Sequence, residues 1–210
     1  MAYLVLVRHG QSEWNALGKW TGWQDVSLTD QGRAEAQEAA KALELSGVDL
    51  HKAYTSKLKR AQQTLDEIKN HLDKTDIETV QHTALNERHY GDYTGMNKWE
   101  AQKSMGDEAF LKVRRAWDHP LPNGETLKDV HGRVMPYYES TILADLKNGK
   151  NVIIAAHGNS LRALVKHLES IPDNEIHKLE IGTGEVYMYE IDSNGNVVAK
   201  NIFNGDKKTV

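Results

Sequence analysis

Cysteine is missing from the 210-residue chain. That excludes disulfides, thiolate nucleophiles and cysteine-held zinc together, and it fits a reducing, cytoplasmic setting. Missing too is any apolar run long enough to cross a bilayer. The apolar opening over residues 1–7 has no basic lead-in and no small-residue cleavage site, and it stops at Arg8, so neither a signal peptide nor a membrane association is expected. Nor is there an excess of positive charge. With 26 Lys and Arg against 30 Asp and Glu the net charge is -4, which argues against nucleic acid as a partner and means that any strongly cationic feature must be local. Internal repeats and low-complexity segments are absent as well. What remains, 39% hydrophobic and 27% charged residues, is the composition of a folded globular chain, and the length suits one domain spanning residues 1–210.

The periodicities alternate between strand and helix. Residues 3–7, a continuous apolar run, read as a buried strand. Residues 10–25 carry no period and read as a loop, followed by a helix from Thr29 to about Leu45 that Gly47 stops, with Ala34, Ala36, Ala39, Ala40 and Leu43 on its apolar side. Residues 52–55 form a second strand, and Ser56 is placed to cap a helix over 58–72. A short strand at 79–82 and a polar loop at 86–97 come next, then helical patterns at 98–103 and 107–116. A helix over 127–146 should be kinked or divided by Pro136. The clearest strand, within 151–156, leads to a helix starting at Ser160, and two strands at 186–191 and 197–203 flank a turn and form a hairpin. This order predicts an α/β three-layer sandwich: a mainly parallel sheet with helices on both faces.

Two strands end alike. Val7 is followed by Arg8-His9-Gly10, and Ala156 by His157-Gly158-Asn159. Ligands of open α/β sheets bind beyond the carboxyl ends of strands, so neighbouring strands would turn both histidines toward one pocket. The glycine after each histidine lets the chain turn and a ligand approach. Neutral imidazole is a competent nucleophile near pH 7, and a second imidazole can stabilise charge or pass a proton. Arg8 and Arg60 supply guanidinium forks, and Arg60 sits near a helix start, itself a favourable anion site. This set suits phosphoryl transfer, which asks the protein mainly to position the group and offset its charge. A metal site is the other use of two histidines. HGQSE and HGNSL contain no His-x-x-x-His pair, and no metal is expected.

The run Leu6-Val7-Arg8-His9-Gly10-Gln11-Ser12-Glu13-Trp14-Asn15 resembles the signature of the histidine phosphatase superfamily. Within it the chain is similar to the cofactor-dependent phosphoglycerate mutases, through Thr21-Gly22-Trp23, Tyr54-Thr55-Ser56-Lys57-Leu58-Lys59-Arg60-Ala61, Leu85-Asn86-Glu87-Arg88-His89-Tyr90-Gly91, Gly95-Met96-Asn97-Lys98, Arg114-Arg115 and Ile153-Ile154-Ala155-Ala156-His157-Gly158-Asn159-Ser160-Leu161-Arg162. A bare Arg-His-Gly is weak evidence, but the set runs in the family's order over nearly the whole chain.

The resemblance implies interconversion of 3-phosphoglycerate and 2-phosphoglycerate, in glycolysis and gluconeogenesis, with His9 as the phosphorylated nucleophile and 2,3-bisphosphoglycerate as priming cofactor. Arg8, Arg60 and His157 would surround the transferring phosphoryl group, and Glu87 would be the general acid/base. Ser12, Asn15, Thr21, Gly22, Gly158 and Asn159 would line the phosphate and substrate pocket, while Tyr90, Lys98, Arg114 and Arg115 would hold the carboxylate end. The partners implied are small-molecule phosphoglycerates, with the chain a homo-oligomer (dimer) or a monomer. Two departures stand out: the connection over residues 116–124 is shorter than in longer members, and the chain stops soon after Asn204-Gly205-Asp206.

Blander uses remain open at some positions. Glu87 could pair with Arg88, one of Arg114 and Arg115 could face solvent because adjacent helical residues diverge, and Trp14, Trp20, Trp23, Trp99 and Trp117 read as packing under loops. Residues 147–150 and Lys207-Lys208 read as solvated turns. A phosphatase of the same superfamily and a non-catalytic phospho-ligand binding module are the rival functions.

Overall fold

The computed structural model describes residues 1–203. Lys207-Lys208 and the chain's last residues lie outside them. The strands are β1 (Ala2–Arg8), β2 (Lys52–Thr55), β3 (Glu78–Gln81), β4 (Val152–Ala156), β5 (Val186–Ile191) and β6 (Val197–Phe203). They form one six-stranded sheet in the order β3-β2-β4-β1-β5-β6. The pairs β3–β2, β2–β4 and β4–β1 are parallel, whereas β5 runs antiparallel to both β1 and β6. The expected mainly parallel sheet is present, with β5 as the one reversed strand.

Eight α-helices accompany the sheet in the described residues: α1 (Glu13–Ala16), α2 (Asp30–Ser46), α3 (Lys59–His71), α4 (Lys98–Met105), α5 (Asp107–Arg115), α6 (Leu127–Tyr137), α7 (Leu143–Lys147) and α8 (Gly158–Leu168). Alternation along β1 divides the core. Val5 and Val7 meet Ala39, Ala40 and Leu43 of α2 and Leu65 and Ile68 of α3. Leu4 and Leu6 meet Leu127, Val130 and Val134 of α6 and Leu161, Leu164 and Val165 of α8. Helices therefore cover both faces, and each fully buried Leu, Ile or Val contributes roughly 1.5–3 kcal/mol. A third cluster, Trp20, Tyr90, Phe110, Val113 and Leu121, packs the excursion that carries α4 and α5.

Several boundaries differ from the sequence reading for local reasons. The loop over 10–25 contains α1, capped by Ser12, whose side chain accepts from Asn15 N. Ala34 is exposed on α2, while Ala36, Ala39, Ala40 and Leu43 are buried. Gly47 ends α2 in a left-handed conformation, φ 69°. Ser56 is not the cap of α3: Leu58 holds that position without a side-chain bond. The last helix starts at Gly158, with His157 rather than Ser160 at its N-cap. Pro136 lies inside α6, and a π turn, Tyr138–Ile142, follows. Lacking an N–H and crowding the preceding turn, proline interrupts the bonding ladder there, so one expected helix becomes three segments.

Two tryptophans leave the cover expected for them. Trp23 and Trp99 are exposed, although Trp23 Nε1 donates to Glu87 O at 2.6 Å. Lys150 is not a free turn residue, since its Nζ bonds Asp145 Oδ1 at 2.8 Å.

Candidate active site

The parallel pair β1–β4 places Arg8 opposite Ala156, and His9 N donates to Ala156 O at 2.9 Å. Both histidines therefore emerge together at the carboxyl edge of the sheet. Their ring centroids lie 4.9 Å apart, with planes at 62°. His9 Nδ1 sits 2.7 Å from Gly10 O. A carbonyl oxygen can only accept, so Nδ1 carries the proton and Nε2 keeps its lone pair. Arg60 Nε donates to that Nε2 at 3.3 Å. Burial, then the charges of Arg60 and Arg8, hold His9 well below the usual imidazole range. His9 is thereby a neutral imidazole whose unprotonated Nε2 is oriented by Arg60, and the guanidinium beside it would repel a bound cation.

The glycine after His9 serves packing rather than ligand approach. A Cβ on Gly10 would lie 2.0 Å from Gly32 O, so the loop seats directly on the first turn of α2. Gly158 does face the site. A Cβ there would meet Arg8 Nε at 3.6 Å and Glu87 Oε2 at 3.8 Å.

Arg60 enters from the second residue of α3, and its fork also binds Gly22 O at 2.8 Å and Gln24 O at 2.9 Å. One side chain thus ties His9 to the loop that carries Thr21 and Gly22. Burial, as the largest cause, lowers Arg60 to about 10, which leaves it charged at neutral pH. His157 is also buried and held well below the usual imidazole range, by burial first and then by Arg60 and His9. Its Nε2 lies 2.7 Å from Ser56 Oγ.

Glu87 Oε1 accepts from Arg88 N at 2.8 Å and from Asn159 N, in the first turn of α8, at 3.1 Å. The blander alternative, a side-chain pair of Glu87 with Arg88, is not formed among the described residues. Arg88 turns inward instead, donating to Val113 O at 2.9 Å and stacking 4.6 Å over the ring of Tyr90. Asn159 is held from both ends, by Tyr90 OH at 3.0 Å and by Arg162 Nη1 at 2.9 Å.

The cavity beside His9 is lined by Arg8, Asn15, Thr21, Gly22, Arg60, Glu87, Tyr90, Lys98, Arg114, Arg115, Gly158 and Asn159. Arg114 and Arg115 both reach it, and Arg115 forms an ion pair with Glu180. Ser12 does not line this cavity. It is buried as the cap of α1, where its Oγ donates to Asn15 Oδ1 at 2.9 Å, so it orders Asn15 instead. Sequence reasoning missed Lys19, Trp20, Arg162, Glu180 and Ile181, which complete the lining. Arg162 closes the His157–Arg162 stretch and could have been found there; Glu180 and Ile181 precede β5 without any motif. Seven cationic side chains (Arg8, Lys19, Arg60, Lys98, Arg114, Arg115, Arg162) thus face two carboxylates, Glu87 and Glu180. Crowding shows in Lys98, lowered to about 7 by burial first and then by Arg114 and Arg8.

The sequence profile of the histidine phosphatase superfamily, branch 1, matches residues 4–202. The chain belongs to this superfamily. It is 48% identical over 197 residues, 94% of this chain and 95% of the other, to a Bradyrhizobium diazoefficiens protein named 2,3-bisphosphoglycerate-dependent phosphoglycerate mutase. A Mesorhizobium japonicum protein of the same name is 46% identical over 202 residues, 96% of this chain and 98% of that one. Among solved structures, Bacillus stearothermophilus YhfR superposes with a TM-score of 0.81 at 28% identity, covering 94% of this chain and 95% of its own.

For a member of this superfamily the polar inventory of the cavity fits an anion. Arg8 Nε, Trp20 Nε1 and Thr21 Oγ1 of the lining, and His157 Nδ1, which lies outside it beside His9, are buried without a hydrogen-bond partner among the described residues. Three are nitrogens that can donate, and the fourth is a hydroxyl. A leftover donor set of this kind is costly unless a ligand satisfies it. A phosphate group, with several strong acceptor oxygens, is suited to do so.

Proposed function

We propose that the protein interconverts 3-phosphoglycerate and 2-phosphoglycerate through a phosphohistidine formed at His9. The observation that carries this reading is the state of His9: Nδ1–H is committed to Gly10 O, and the unprotonated Nε2, held by Arg60 Nε, belongs to a side chain lining a cavity dominated by arginine and lysine. The names borne by relatives 46–48% identical over nearly the whole chain support the substrate.

In this reading His9 Nε2 gives its lone pair to phosphorus as the P–O bond to the donor oxygen breaks and that oxygen takes a proton; in the return step a different hydroxyl gives up its proton, attacks phosphorus and breaks the N–P bond. 2,3-Bisphosphoglycerate supplies the priming phosphoryl group. Arg8, Arg60 and His157 Nδ1 offset charge on the equatorial oxygens, and Thr21 and Asn15 orient the group. Glu87, with Oε1 held by two backbone N–H groups, presents Oε2 to the substrate hydroxyl as general acid and base. Tyr90, Lys98, Arg114 and Arg115 bind the carboxylate and the non-reacting end. Hydrogen bonds to charged groups are worth about 1.5–3 kcal/mol each, so several together retain a multiply anionic species long enough for it to turn over. A phosphatase would instead open the phosphohistidine to water.

The two outcomes separate in one assay. The protein is given 3-phosphoglycerate with a trace of 2,3-bisphosphoglycerate, and 2-phosphoglycerate and free phosphate are both followed. Accumulation of 2-phosphoglycerate supports the mutase. Stoichiometric phosphate without it supports the phosphatase.

A further inference from the structure

The hydroxyl of Ser56 has a place in the reaction that its position in the chain does not announce. Ser56 is fully buried just after β2, and its Oγ makes two contacts. Leu58 N donates to it at 3.1 Å, and His157 Nε2 lies 2.7 Å away. The amide uses one lone pair of Oγ. The hydroxyl proton then needs an acceptor, and among the described residues His157 Nε2 is the acceptor within reach. The opposite arrangement, with the proton on Nε2, would leave the serine proton buried and unpaired. It would also aim the bare lone pair of Nδ1 at the phosphoryl oxygens.

We propose that Ser56 is a positioning residue: it donates to His157 Nε2 and so fixes the proton on Nδ1, making that nitrogen a hydrogen-bond donor to the transferring phosphoryl group. His157 Nδ1 is buried, is approached by Ser160 N in the first turn of α8 without forming a hydrogen bond among the described residues, and belongs to a ring 4.9 Å from that of His9. The pair then has a simple logic. Gly10 O fixes the tautomer of His9 by accepting at Nδ1, which leaves Nε2 to attack. Ser56 fixes that of His157 by donating at Nε2, which leaves Nδ1 to stabilise. Two imidazoles of the same tautomer thereby take opposite roles. The loop that holds Ser56 is pinned independently, by Lys57 N on Asn86 Oδ1 at 3.0 Å and Gln62 Nε2 on Ser56 O at 3.1 Å, so removal of the hydroxyl should leave the backbone in place.

The inference rests on the phosphohistidine reading, yet its first test does not need turnover. Nitrogen-15 NMR of the ligand-free protein, with His157 assigned by comparison with His157→Asn, should show a protonated Nδ1 and an unprotonated Nε2. Ser56→Ala should shift this signal toward a mixture of tautomers. It should also lower kcat roughly 10- to 100-fold, as loss of an orienting partner does, with KM for 3-phosphoglycerate changed less than about threefold because ground-state binding is kept. Ser56→Thr, which keeps the hydroxyl, should restore the wild-type spectrum and recover most of kcat. A wild-type His157 protonated on Nε2 would overturn the proposal, as would a Ser56→Ala enzyme with unchanged kcat. Failure of the wild-type protein to become phosphorylated by 2,3-bisphosphoglycerate would instead count against the mutase reading, and leaves the tautomer result standing on its own.

Discussion

Arg60 Nε donates to His9 Nε2 at 3.3 Å, while the rest of its guanidinium holds Gly22 O and Gln24 O. One rigid fork therefore does two jobs, orienting the His9 imidazole and anchoring the loop over it. Lysine cannot reproduce this, because its ammonium is a point charge without the planar fork. Both Arg60→Ala and Arg60→Lys should lower kcat, Arg60→Ala by about 10² to 10³, the scale for a lost transition-state donor. Steady-state kinetics at saturating 3-phosphoglycerate measures this, and a fully active Arg60→Lys enzyme would contradict the two-job account.

Glu87→Gln isolates proton transfer from structure. The amide oxygen can still accept from Arg88 N and Asn159 N, as Oε1 does, but the group no longer exchanges a proton. The variant should keep its melting temperature while kcat falls about 10²- to 10⁴-fold. Thermal denaturation paired with kinetics checks both halves.

The buried histidines set a pH dependence of stability with a definite sign. His9 and His157 are held below the ordinary 6.5 in the folded protein. As pH falls through that value, the unfolded chain takes up protons that the folded chain does not, so stability declines with acidification. Urea denaturation should give lower stability at about pH 5.5 than at pH 7.5, with a shallower slope in His157→Asn. On the alkaline side Lys98, lowered to about 7, loses its charge as pH rises, and KM for the anionic substrate should climb. Lys98→Arg should flatten that climb, because arginine stays protonated.

Gly32→Ala tests the seat of the loop after His9 on α2. The added Cβ would lie 2.0 Å from Gln11 O, a backbone atom. Relief requires moving the segment after His9, so the variant should lose about 3 kcal/mol or more in urea denaturation and most of its activity.

Much of this was legible in the chain because the signals were local. The strand-end pair Arg8-His9-Gly10 and His157-Gly158-Asn159 would share one pocket if their strands were neighbours, and the sheet places β1 beside β4. Where the reading failed, the deciding interaction was tertiary for Ser56, Gly10 and the residues before β5, and a local cap on Asn15 for Ser12. Ser56 looked like a cap because caps are recognised by residue type, yet its hydroxyl is turned to His157, 101 residues away. Ser12 looked like a pocket residue and is a buried cap. Gly10 looked like room for a ligand and is room for Gly32. Glu180 and Ile181 reach the cavity only because β5 runs back along β1, a pairing no short motif encodes.

The central claim is that His9 Nε2 takes up the phosphoryl group. The most direct test mixes the protein with 2,3-bisphosphoglycerate and follows acid-labile phosphoprotein, wild type against His9→Ala. The account predicts stoichiometric labelling that maps to His9 in the wild type and none in the variant, with isomerisation lost in parallel. Labelling of His9→Ala equal to that of the wild type, or isomerisation at the wild-type rate, would contradict it.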